Sequence, residues 1–152
     1  MNRTRPHAGA LRKGRISESG RIYLITCVTW QRLNFFSQFT CGRLLVNVLR
    51  NQRHRAGTLA YVVMPDHLHW LVQPCEDTSL DRLMRTVKCV SSHRINMELN
   101  RSGRLWQQGY HDHALRREED LVATARYLVA NPLRSGLVQH IGDYSLWDAA
   151  WL

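Results

Sequence analysis

The sequence predicts an α+β fold in the order β-α-β-β-α-β-α, an antiparallel sheet with helices packed on one face. Three observations lead there. Short runs of β-branched and aromatic residues alternate with segments whose apolar residues recur at helical spacing. A Pro-Asp pair separates two adjacent apolar runs and marks a hairpin turn. At 152 residues, 44% hydrophobic and 22% charged, the chain suits one globular domain with one core.

The elements follow in order. Arg21 to Trp30, "RIYLITCVTW", has the composition of a first strand. Thr40 can cap a helix whose apolar face is Leu44, Leu45, Val48 and Leu49, and the basic stretch Asn51 to Gly57 ends it. Thr58 to Met64 is a second strand, Pro65-Asp66 the turn, and His67 to Gln73 a third strand paired with the second. Thr78 or Ser79 starts a long helix with Leu80, Leu83, Val87 and Val90 on one stripe. Leu105 to Leu115 is a fourth extended segment, and Glu118 to Asn131 a third helix with acids in its first turn and Asn-Pro at its end. The remainder, through Trp147 and Trp151, is expected as a turn-rich tail that packs aromatic residues on the body. One sheet with two helices on one face is the ferredoxin-like solution to this order.

Composition narrows the function. The chain has 21 Lys and Arg against 12 Asp and Glu, a net charge of +9, which favours polyanionic partners. Residues 1–20 are expected as a basic N-terminal arm and residues 21–152 as a single domain. Arg12, Lys13 and Arg15 of the arm, with Arg82, Arg85 and Lys88 of the second helix, are candidate DNA contacts. A solvated helix face is the plainer reading of the latter three. No apolar run approaches the ~18–20 residues of a membrane span, and the N-terminus has no signal-peptide pattern. The four cysteines stand far apart with no C-x-x-C pair. A reduced, cytoplasmic protein is therefore expected.

Two places could carry chemistry. His67 and His69 share one face of a strand, with Cα atoms roughly 6.5–7 Å apart, so their imidazoles can converge on one ion. Alone the pair is incomplete, and two surface histidines would look the same. On the third helix Asp120, Thr124, Tyr127 and Asn131 form a polar stripe opposite Leu121, Val122, Ala125, Leu128 and Val129. Tyr127 and Asn131, at i, i+4 spacing, offer a hydroxyl nucleophile and an oxygen ligand. An amphipathic Tyr at the core edge and an Asn ending a helix are the plainer readings. Asp66 can orient an imidazole or simply complete the turn. His113, with His111, can line the same site or serve structure or DNA contact.

The blocks "YVVMPDHLHWLV", "WQQGYHDHALR" and "ARYLVANPLRSGLV" together resemble the single-tyrosine HUH transposases, in particular the REP-associated tyrosine transposase group. The resemblance runs from about Arg21 to Asp148. It implies a ferredoxin-like fold with the His pair on a central strand, Tyr127 as nucleophile, and Asn131 as third metal ligand beside His67 and His69. It also implies a divalent cofactor, Mg²⁺ or Mn²⁺, single-stranded DNA with hairpin structure as substrate, and a 5′-phosphotyrosine intermediate. Monomer and homodimer both remain open. The alternative from another class is a non-catalytic nucleic-acid-binding regulator on the same scaffold.

Overall fold

A computed structural model describes residues 20–116 and 118–151. The expected arm, with Arg12, Lys13 and Arg15, lies outside the described residues. Among the described residues, five antiparallel strands form one sheet: β1 (Tyr23–Val28), β2 (Ala56–Met64), β3 (His67–Pro74), β4 (His111–Ala114) and β5 (Trp147–Ala149). Their spatial order is β4-β1-β3-β2-β5. The β2–β3 hairpin turns at Pro65-Asp66 as expected, and β3 takes the central position.

Alternation along β3 determines what each sheet face carries. Leu68, Trp70 and Val72 are fully buried beneath α1 (Phe39–Asn51) and α2 (Leu80–Glu98). Trp70 is therefore a core residue, and its indole Nε1 donates to Thr58 Oγ1 at 2.9 Å. Ser79 caps α2 by accepting from the Arg82 amide at 3.2 Å. These two helices occupy one face, as predicted.

The opposite face has its own cover. Helix α3 (Glu118–Val129) lays Leu121, Ala125, Leu128 and Val129 on Val62, Met64 and Leu71. The expected helix to Asn131 is divided, because Asn131 opens a separate one-turn helix, α4 (Asn131–Arg134). Pro132 explains the break, since it donates no amide hydrogen and restricts the residue before it.

Two further expectations are corrected. The fourth extended segment shrinks to His111–Ala114, because the chain turns through Gly109 at φ +79° before the strand. Leu105 and Trp106 are instead buried against α2 and the end of β1, where Trp106 bridges Thr29. The tail contributes an edge strand, β5, rather than turns alone, and Val63 N–H donates to Leu146 O at 2.8 Å just before it. The Tyr144 hydroxyl donates to the Val63 carbonyl, and burial pushes that phenol up to about 12.

A loop between β1 and α1 closes over the hairpin turn. Thr29, fully buried, donates its amide to Asp66 O at 2.9 Å, and its hydroxyl lies 3.0 Å from Asp66 O and 2.7 Å from Leu33 O. Phe36 N–H adds a bond to Pro65 O at 3.0 Å. Thr29→Val keeps the shape but removes the hydroxyl, and should cost about 1–2 kcal/mol. Urea unfolding checks this: the midpoint should fall with the slope unchanged.

Candidate active site

His67 and His69 stand on the face of β3 opposite Leu68 and Trp70, and the register makes Thr26 and Val62 the neighbours of His69. Their ring centroids are 4.8 Å apart at an interplanar angle of 80°. Each ring is fixed through Nδ1. His67 Nδ1–H donates to Asp66 Oδ1 at 2.6 Å, and His69 Nδ1 is hydrogen-bonded to Thr26 Oγ1 at 2.9 Å. That leaves Nε2 as the nitrogen each ring can offer to a cation.

Asp66 thus contacts the first histidine directly, while holding the turn through its carbonyl. Burial works against its charge, but hydrogen bonds and charges from His67 and Arg32 outweigh that and hold the carboxyl below its ordinary range. Arg32 Nη1 donates to Asp66 Oδ2 at 3.2 Å. The loop reaches this contact with two successive non-glycine residues in left-handed conformation, Gln31 at φ 53° and Arg32 at φ 52°. Such strain persists only where surrounding bonds over-determine it, as those of Thr29 and Phe36 do here.

His69 is the more enclosed ring. Burial first, then the neighbouring His67 and the Arg134 charge, push it down to about 4. Near neutral pH it is the uncharged imidazole, the form that binds metal.

Helix α3, which carries the polar stripe on its outer side, packs on the same sheet face as the His pair, over Val62 and Leu71. Tyr127 is 68% exposed, so its hydroxyl is open to a large substrate. The Arg134 guanidinium stacks over its ring, 3.7 Å from the centroid. Asn131 Nδ2 donates to Leu128 O at 3.1 Å, which leaves Oδ1 as the end able to meet a cation. Among the described residues, no three His, Cys, Asp or Glu side chains gather into a metal-holding set. An amide oxygen is a donor of another kind.

His111 and His113 are both exposed on β4 and share the site face. His111 pairs with Thr26 and so continues the row of His69, whereas His113 pairs with Leu24, one pleat further along. Thr26, Arg32 and Arg134 were missed by sequence reasoning. Thr26 and Arg134 carried a usable signal: the first lies on a strand pairing with β3, the second inside the block that contains Tyr127 and Asn131.

The comparisons decide the family. The model of the family described as "Transposase IS200 like" matches residues 21–131, most of the chain. The chain belongs to this family. Among curated proteins, this chain is similar to the REP-associated tyrosine transposase of Escherichia coli K12, 28% identical over 87 residues, covering 56% of this chain and 49% of that protein. A putative REP-associated tyrosine transposase of Haemophilus influenzae is 26% identical over 97 residues, covering 57% and 55%. The matched part thus spans about half the length of these relatives. A solved REP-associated tyrosine transposase bound to a REP hairpin superposes with a TM-score of 0.71 at 22% identity, over 97% of this chain and 82% of that one. A putative transposase from Deinococcus radiodurans gives 0.52 at 17% identity, over 84% and 95%. Both share the α+β fold.

Within this family member, Arg82 and Arg85 are exposed on α2, so they lie across the sheet from the His pair. Lys88 Nζ donates to Gln107 O at 2.7 Å and Gly109 O at 2.6 Å, and so fastens the loop before β4. No described helix is long and apolar enough to cross a membrane.

The His69 shift makes stability depend on pH. The unfolded imidazole takes a proton near pH 6.5, the folded one only near 4, so protons favour the unfolded chain between these values. Metal-free protein should lose stability as pH falls from 7 to 4, by up to about 3 kcal/mol at 1.36 kcal/mol per pKa unit. Urea midpoints across this range should flatten in His69→Gln, whose amide keeps the approximate size without titrating.

Proposed function

We propose that this IS200-like transposase nicks and rejoins single-stranded DNA beside hairpins, using Tyr127 as nucleophile and a divalent ion held at His67, His69 and Asn131. The observation that carries the reading is the placement of an exposed tyrosine and a paired, Nδ1-anchored imidazole couple on one open face of the sheet. Both curated relatives bear the name REP-associated tyrosine transposase, and the solved relative is bound to a REP hairpin. A hairpin-bearing strand is the substrate class that follows.

The residues fit a divalent ion. Two imidazoles with Nδ1 engaged, one of them held neutral, and an amide oxygen make a mixed N,O set. Such a set suits Mn²⁺ by ligand softness and admits Mg²⁺ where a phosphate and water complete the shell. When bound, the ion would act as a Lewis acid on the scissile phosphate. Asp66 and Thr26 hold the two rings in the orientation that presents Nε2. The Tyr127 hydroxyl gives up its proton as its oxygen attacks phosphorus in line, an O–P bond forms, and the bond to the 3′ oxygen breaks. The 3′ oxygen leaves and takes up a proton, while the 5′ phosphate stays on tyrosine. The phosphodiester's energy is thereby kept for transfer to another strand.

Basic residues supply affinity for the backbone. Arg82 and Arg85, exposed across the sheet, would meet DNA flanking the cut rather than the scissile phosphate itself. Incubation of hairpin DNA carrying a single-stranded flank with Mn²⁺ should give a protein–DNA adduct stable to denaturant. Tyr127→Phe should abolish it, and His67→Ala or His69→Ala should lower its yield at least about 100-fold. An undiminished adduct in Tyr127→Phe would remove the nucleophile assignment.

A further inference from the structure

Tyr127 stands exposed on α3, so the core does little to orient its ring. The Arg134 guanidinium does so instead, lying 3.7 Å above the ring. Arg134 follows Tyr127 by seven residues, about two helical turns, and its N–H makes a helical bond to Ala130 O at 3.0 Å in the one-turn α4, so its long side chain can lie over the ring. Arg134 is itself exposed, and its charge reaches His69. It therefore touches the proposed nucleophile directly and acts on His69 through its charge.

A guanidinium bound by its face keeps the N–H donors of its edge available. Those donors form the planar fork that matches two oxygens of a phosphate. A lysine in its place could supply the charge but neither the flat face nor the fork.

We propose that Arg134 is a catalytic residue that stacks on Tyr127 with its face and binds the scissile phosphodiester with its edge. It holds the nucleophile's ring beside phosphorus and offsets charge building on the phosphoryl oxygens as the Tyr127 oxygen adds and the 3′ oxygen departs. No proton leaves the guanidinium. This rests on the assignment of Tyr127 as nucleophile and of the His pair as the metal-binding couple.

The test measures two quantities for wild type, Arg134→Gln and Arg134→Lys. One is the rate of covalent adduct formation at saturating hairpin DNA with Mn²⁺. The other is affinity for the same DNA in chelator without metal. Arg134→Gln should slow adduct formation about 100-fold or more, the usual scale for losing one transition-state donor, with affinity changed less than about fivefold. Arg134→Lys should recover part of the rate. Both variants should keep the wild-type melting temperature, because the residue is exposed. A rate within twofold of wild type in Arg134→Gln would overturn the proposal, as would a defect confined to affinity or equal defects in both variants. An absence of adduct in the wild type itself would overturn the nucleophile assignment, and this inference with it.

Discussion

Everything at the site depends on β3 being a central strand with two unlike faces. Leu68, Trp70 and Val72 are sealed beneath α1 and α2, and alternation forces His67 and His69 to the other side. A one-residue slip of register would exchange the two sets. It would expose three large apolar side chains, each worth about 1.5–3 kcal/mol of burial, and would bury two imidazoles. The core therefore sets where the histidines point, and neighbouring strands then supply their partners. Thr26 meets His69 only because β1 pairs with β3 in this register.

The second constraint is the cover on the site face. Helix α3 closes only part of it, over β2, Leu71 and β5, so the His pair stays beside an open surface suited to a polymer. The helix is divided near Pro132, and the one-turn α4 that follows carries the Arg134 side chain that lies over Tyr127.

Around the first histidine, the protein accepts local strain for orientation. Gln31 and Arg32 adopt backbone angles that non-glycine residues rarely take, and the loop is held there by bonds to both residues of the hairpin turn. Arg32, Asp66 and His67 then form a continuous chain of charge-assisted contacts. The ionised carboxylate requires an N–H on His67 Nδ1, which directs the other nitrogen outward. On His69 the same task falls to a neutral hydroxyl in a more buried setting, which agrees with that ring remaining uncharged.

The order of the main elements, the hairpin at Pro65-Asp66 and the shared face of His67 and His69 were all determined by sequence alone, because each follows from local periodicity or turn chemistry. The amphipathic pattern that leaves Tyr127 exposed on α3 belongs with them, whereas Asn131 falls in the separate α4. Tertiary structure decided the rest. Strand β5 spans three residues, too few for a periodic signal, and exists through pairing with Ala60–Val62, far earlier in the chain. Which sheet face α3 covers depends on the complementarity of two surfaces, one of them shared by strands distant in sequence. The roles of Thr26, Arg32 and Arg134 come from contacts across strands, loops and a proline break. No local pattern encodes these, since each depends on a register or a turn angle that only the assembled sheet imposes.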